Sequence, residues 1–582
     1  TTSYPLFIKG NSSTLDEGVG NVKFVVRGDG NTGVGTDSPS KKLEVAGDIK
    51  LLNGTNDITV FYGGDNWGQR VIYSTGNMNF FTSGENRLSI TGAGSVGIGT
   101  ENPDTNLHIH KATAGVIDSN ANAQLTIENN SHAGLQFLSP NSANNIIYFG
   151  NNTDNDVAYI GYIHSSNDLQ FFINGGVRFQ LDANSRISLS NNGGEATNTI
   201  FGYQAGNSIH ASSGMNTFVG HQVADATMTA DADENTAVGH LALSGLTSGE
   251  KNIAIGSYSG INITSGDENV LVGRSAGNNH NSSDLVAVGT ATLASITNAT
   301  ADGTVGVGHQ ALTALTSGAN NTAVGYNTAI YNSTGGLNTW VGYEAGLGAS
   351  GQSNSQNTGM GYRAGFSITT GGNNTFIGRQ SGLEVEDGAD NTFVGMNAGA
   401  ASVSGTKMVA VGVSAMGAGN VTTAADGDVA IGYESLKALT SGAKNVAIGY
   451  HSGKAFNGSN STIIGYEAGL DVDGSSGDST LIGMEAGKHL DDGTFNTAIG
   501  IEAMKSNSGG GNSALGNTCV GWRAGDLIRT GTYNVVIGHG AEVSATDATN
   551  QIAIGREAEG QTDNSVTLGN TDVTDVYMAS DK

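Results

Sequence analysis

Cysteine, proline and positive charge are all scarce in this chain. Cys519 is the only cysteine among 582 residues, so no intrachain disulfide can form and no thiolate metal cage can be assembled. Its setting, Asn517-Thr518-Cys519-Val520-Gly521, reads as a small core residue. There are 4 prolines and no glycine at every third position, which excludes a collagen helix although glycine reaches 90 residues, about twice its average share. Lys and Arg number 25 against 52 Asp and Glu, a formal charge of −27. With no basic cluster to displace counterions, a nucleic acid is not an expected partner. No stretch approaches the roughly 18 consecutive apolar residues of a spanning helix, so membrane insertion is not expected either. Thr1 opens the sequence without Met or a basic, apolar leader, and any leader is expected to have been removed or to lie outside these 582 residues.

What is present is a regularly spaced apolar fraction of 37%, which argues against disorder. From residue 196 to 570 a unit of the form Asn-Thr-x-Val-Gly recurs about 22 times, its glycine falling at Gly202, Gly220, Gly239 and onward to Gly555 and Gly569. The mean period is about 17.5 residues, within the range of solenoid repeats. Three residues before the glycine the side chain is β-branched in every unit, from Thr199 to Val566, and one before it is always apolar, as at Val219 and Ile499. These two positions share a strand face, and that face is expected to be buried. The position between them ranges from Gly306 to Trp340, so it is expected to meet a surface tolerant of size, such as a subunit contact. Four residues before the glycine Asn predominates, and stacked Asn side chains can bond from rung to rung. Segments such as Leu246-Thr247-Ser248-Gly249 and Leu315-Thr316-Ser317-Gly318 read as turns that absorb length variation.

Residues 196–570, most plainly Gln551-Ile552-Ala553-Ile554-Gly555 and Ser565-Val566-Thr567-Leu568-Gly569-Asn570, resemble the head repeat of YadA-like trimeric autotransporter adhesins. The resemblance implies left-handed parallel β-rolls, three chains side by side, that bind host surfaces; the period here is longer than that family's. In residues 1–118, Gly33-Val34-Gly35-Thr36 with Pro39, and Gly97-Ile98-Gly99-Thr100 with Pro103, resemble bacteriophage tail-fibre shaft modules, which implies interwoven β-structure from three chains. Residues 119–195 read as a strand-rich connection. Residues 571–582, with Val573-Thr574-Asp575-Val576-Tyr577, resemble the stretch before a self-cleaving trimerisation chaperone, consistent with a matured chain and equally with a shortened one.

The fold expected is therefore all-β: a trimeric fibre with N-terminal interwoven shaft modules and a long parallel β-roll or β-solenoid of about 22 repeats. An extracellular homotrimer that meets a cell-surface glycan or protein receptor follows from the resemblances, with the virion tail fibre as location and the bacterial cell surface as alternative. A homopolymeric filament, with Thr1 to Lys9 as its donor strand, is a third reading, and a glycan depolymerase a fourth.

No enzyme and no cofactor are expected. Gly28-Asp29-Gly30-Asn31-Thr32-Gly33 and Gly92-Ala93-Gly94-Ser95-Val96-Gly97 fit a dinucleotide fingerprint, but a Pro turn and a further strand follow where a helix is required. Arg27-Gly28-Asp29 is an integrin-type tripeptide of a kind that arises by chance. Asp231-Ala232-Asp233-Glu234 and Glu384-Val385-Glu386-Asp387 read as solvated turns. The metal candidates are His108 and His110, which alternate with Leu107 and Ile109. Pointed at a trimer axis they would offer six nitrogens; otherwise Leu107 and Ile109 face the core and the histidines face water.

Overall fold

The computed structural model describes residues 6–9, 22–27, 29–34, 42–45, 77–82, 85–112, 122–181, 187–188, 197–229, 231–279, 281–297, 300–422, 425–472, 477–506 and 511–577. The described residues are all-β, and they divide into two compact units, Thr1–Gln136 and Phe137–Lys582.

The first unit holds two small sheets. One orders β1 (Leu6–Lys9), β2 (Val22–Val26), β3 (Thr32–Val34) and β4 (Leu43–Val45). The other orders β5 (Met78–Thr82), β6 (Glu85–Ile90), β7 (Val96–Ile98), β8 (Leu107–His110) and β9 (Leu125–Glu128). Both Gly-x-Gly-Thr copies build the same device. The glycine-bearing strand pairs antiparallel with the strand before it and parallel with the strand beyond the proline, with Gly33 opposite Glu44 and Gly97 opposite His108. The turn is glycine-dependent: Gly99 has φ +80°, and a Cβ there would lie 2.1 Å from the His110 carbonyl oxygen.

The second unit begins with an antiparallel meander of β10 (Asn145–Phe149), β11 (Ala158–Ile163), β12 (Asp168–Ile173), β13 (Gly176–Leu181) and β14 (Ile187–Ser188). After it comes a parallel β-solenoid. Its 22 strands, β15 (Thr199–Phe201) to β36 (Val566–Leu568), stack in sequence order. Each holds three residues, and the register never slips: Thr322 lies on Thr339, which lies on Thr358, which lies on Thr375.

The repeat glycine fixes that register. Gly342 has φ +137°, and a Cβ on it would stand 2.4 Å from the carbonyl oxygen of Gly361 one rung on, so no other residue fits the close stacking. The Asn ladder forms as expected. Asn357 and Asn374 each donate a backbone N–H to the side-chain oxygen of the preceding Asn, at 3.0 Å in both cases. Their amides donate onward to the carbonyls of Gly371 and Gly388 at 3.0 and 2.9 Å.

Two expectations are overturned. The strand's middle residue, not its flanks, faces the core: Trp340, Phe376 and Ala237 are all 0% exposed, while Thr339, Ile255 and Ile377 stand open. The range of sizes at this position is compensated inside the rung. Leu243, Leu293 and Met416, four residues after their glycines, are buried in rungs whose middle residue is Ala237, Ala287 and Ala410. Rungs with Phe376 and Phe393 carry Gly382 and Gly399 there, where a Cβ would strike the ring. Trp340 spreads over Gly346, Gly359 and Gly365 in the same way. The second correction is narrower: the segments expected as turns do bend, at Thr247-Ser248 and Thr316-Ser317, but their Leu246 and Leu315 are fully buried and form, with Ile263 and Ile368, a second inward column. Cys519 lies in the core as a middle residue, and burial pushes its thiol well up.

Candidate functional site

Because the middle residue of each strand points inward, the residues on either side of it point out. They compose one continuous outer sheet face in register over every rung from β15 to β36, Thr, Val or Ile at every flank except Phe201, Met360 and Leu568. Most are half-buried by their own neighbours along the stack, and Ile255 (41%), Met360 (51%) and Phe201 (63%) are well exposed. Such a run of β-branched side chains is chemically suited to a flat, dry contact with another sheet rather than to water.

Beside that face, one residue after the repeat glycine, aromatics stack in runs, interrupted by rungs that carry residues such as Arg274, Met396 and Val413 there. His309, Tyr326, Tyr343 and Tyr362 stack with centroids 5.1, 5.3 and 5.4 Å apart and planes within 10° of parallel. Tyr433, Tyr450 and Tyr466 repeat the arrangement, with both spacings 5.2 Å. The stacking occupies the ring faces and leaves their edges open, with the Tyr343 and Tyr466 hydroxyls bonded to Glu344 and Glu467. The column therefore offers hydrogen-bonding edges rather than open platforms on which a sugar ring could lie.

Over the rungs of Gly432 to Gly521 a charge ladder lies two and five residues after the glycines. Glu434 binds Lys437 at 2.6 Å and Lys454 at 2.7 Å, and these two ammonium groups hold its carboxyl down at about 2. Lys488 bridges Glu467 and Glu485, and Lys505 bridges Glu485 and Glu502. Arg523 continues the run to Glu502 at 3.3 Å and Asp526 at 2.9 Å. The charges neutralise one another from rung to rung instead of converging on a point where a substrate could react.

The histidine pair lies on β8, between the parallel strands β7 and β9. His108 is 2% exposed and Ile109 is 36% exposed, the reverse of the expectation that the histidines face water. The reason is β9. Its register sets Glu128 opposite His110, and Glu128 Oε2 lies 3.2 Å from His108 Nε2 and 3.8 Å from His110 Nε2. The Asp104 backbone N–H donates to His108 Nδ1 at 3.4 Å. Both nitrogens of His108 are thus engaged within the chain, so the pair does not present the free imidazoles that an axial metal would need. Among the described residues no group of three or more His, Cys, Asp or Glu could hold a metal ion. Glu128 was not singled out from sequence, since nothing in Leu125-Thr126-Ile127-Glu128 tells which strand it pairs with.

The other candidates do not converge. Gly97 leads into β8 and not into a helix, and Gly28 of the first glycine motif and of Arg27-Gly28-Asp29 lies outside the described residues. Asp233 Oδ1 accepts the Gly214 N–H at 2.7 Å and Glu386 accepts through its backbone carbonyl, both as rung-to-rung turn bonds. No protein-family model matches the chain, and no curated protein matches it.

Proposed function

We infer that the chain is the subunit of a non-enzymatic, extracellular fibre, a homotrimer of bacteriophage tail-fibre type that gives rigid reach and meets a cell-surface glycan or protein. The observation that carries this reading is the outer face of the solenoid. A stripe made mostly of Thr, Val and Ile, kept in register over 22 strands, stands half-buried to exposed along the solenoid. Two further copies, each turning the same face inward, would bury all three stripes along a common axis. The first unit supports the same assembly, because Ile98 and Ile109 pair side by side and both stand exposed. Spare apolar faces in both units call for partners of the same length, and a parallel copy is the partner that keeps register with itself.

Recognition falls to the polar edges: the aromatic column and the loops between rungs. The test is binding of the fluorescently labelled full chain to a panel of bacterial cells, with negative-stain images of the same sample. Discrete rods that bind a restricted set of strains, competed by the purified surface polysaccharide of those strains, are expected. Long open-ended filaments that bind no cell would transfer the assignment to a homopolymeric filament. Release of reducing sugar ends from the polysaccharide would transfer it to a depolymerase.

A further inference from the structure

The Asn ladder carries one acidic residue. Asp428 occupies the ladder position of the Gly432 rung and is 0% exposed. Its Oδ1 does what a ladder oxygen does elsewhere, accepting the backbone N–H of Asn445 at 2.8 Å. Its Oδ2 stands where the other rungs have an amide, and among the described residues it has no hydrogen-bond partner. At Asn374 and Asn517 that amide donates to a carbonyl 14 residues on, Gly388 at 2.9 Å and Gly531 at 2.8 Å. The equivalent carbonyl for Asp428 is that of Gly442, 14 residues on. An ionised Oδ2 would set a negative charge against a carbonyl dipole in a dry interior. The preceding ladder residue, Met408, has no side-chain donor to offer, and the charged group that bears on Asp428 is a second carboxylate, Asp426.

We propose that Asp428 is carried in the folded solenoid as a neutral carboxylic acid, its Oδ2–H taking the place of the ladder amide toward Gly442, and that loss of this proton loosens the rungs around it. The proton comes from solvent on folding and returns to solvent on ionisation. Burial, and secondarily Asp426, push the carboxyl up to about 7 against the lowering effect of the Asn445 hydrogen bonds. In the unfolded chain an aspartate titrates near about 4. The folded chain therefore holds the extra proton between these values. The ladder is firmest in acid, weakens as pH rises from about 4 through about 7, and changes no further above that.

The rung concerned is a long one, 20 residues from Gly412 to Gly432, and it is joined to the preceding rung by the Ser402–Val421 bridge. The test compares the full chain with Asp428→Asn, which restores the residue that most rungs carry. Hydrogen exchange, corrected for the intrinsic pH dependence of exchange, is followed in segments covering 425–449 and, as control, 321–357, a stretch that holds neither of the carboxyls raised to about 7. Wild-type protection at 425–449 should drop about tenfold or more from pH ~5 to pH ~8, with the control unchanged and the variant level. A wild-type profile independent of pH, or the same drop in the variant, overturns the proposal. Infrared difference spectra settle it without relying on the variant's stability. The wild type should show the carbonyl band of a protonated carboxyl at pH ~5 that fades above neutrality, and it should survive in a Glu542→Gln background, where the other carboxyl raised to about 7 is gone. Absence of the band in that background at pH ~5 overturns the proposal as well.

Discussion

The meander β10–β14 and the solenoid β15–β36 meet the demands of β-structure in opposite ways. Meander strands run to six residues, pair antiparallel and carry good aromatic pairs, with Tyr159 stacked on Phe172 at 4.7 Å and Phe171 edge-on to Phe179 at 5.2 Å. Yet Ile147, Tyr148, Phe149, Ile173 and Leu181 are all exposed, because a single layer of strands has two faces and encloses neither. Solenoid strands are half that length, and their middle side chains are almost all fully buried, because the chain closes each strand into a rung before laying the next. Enclosure, not strand length or side-chain chemistry, decides which region owns its core. The meander and the outer face of the solenoid are alike in leaving apolar side chains exposed.

The sharpest way to break this contrast is at glycine. Gly342→Ala places a Cβ against the next rung's backbone and is expected to cost more than about 4 kcal/mol, seen as a collapse of thermal stability and of exchange protection in neighbouring rungs. Gly175→Ala in the meander meets open space at φ +80° and should cost only about 1 kcal/mol. Next is volume. Trp340→Ala leaves a cavity bounded by three glycines and should cost about 3–5 kcal/mol in denaturant unfolding, whereas Tyr148→Ala, more than half exposed in the meander, should stay within about 1 kcal/mol while the chain is unassembled.

A smaller effect is expected in the ladder. Asn338→Leu removes the amide bonds to Asn321 (3.0 Å) and Asn354 (2.8 Å) and the acceptor of the Asn357 N–H, a loss of about 1–3 kcal/mol read from the unfolding midpoint. Smallest is the charge ladder. Glu434→Gln should cost about 1 kcal/mol or less, and less still in high salt. Since Glu434 is depressed to about 2, its contribution is present above the ordinary carboxylate range and is lost as pH falls toward 2, a slope that the variant should lack.

The rung count, the glycine register, the Asn ladder and the place of Cys519 could be read from the sequence because each rests on a residue type with one structural use. The direction of the strand could not. In Thr-x-Val-Gly both alternating sets are apolar enough to be buried, and uniformity at the flanks looks like a core although the flanks face outward. The clue lay in pairs at a distance of six residues, Ala237 with Leu243 and Phe376 with Gly382, where one position grows as the other shrinks. The core place of Leu246 is hidden by the Thr-Ser-Gly bend that follows it. Glu128 was hidden by the parallel pairing of β8 with β9, a long-range register that no local pattern encodes.

The claim that the solenoid's outer face is a subunit contact is tested most directly by sedimentation equilibrium of the full chain, alongside a double variant that sets Lys at Val324 and Val341 on that face. The wild type should sediment as three chains, and the variant, whose core residues Ala323 and Trp340 are untouched, as one folded chain. A wild type that stays monomeric at every concentration, or a variant that remains trimeric, would contradict it.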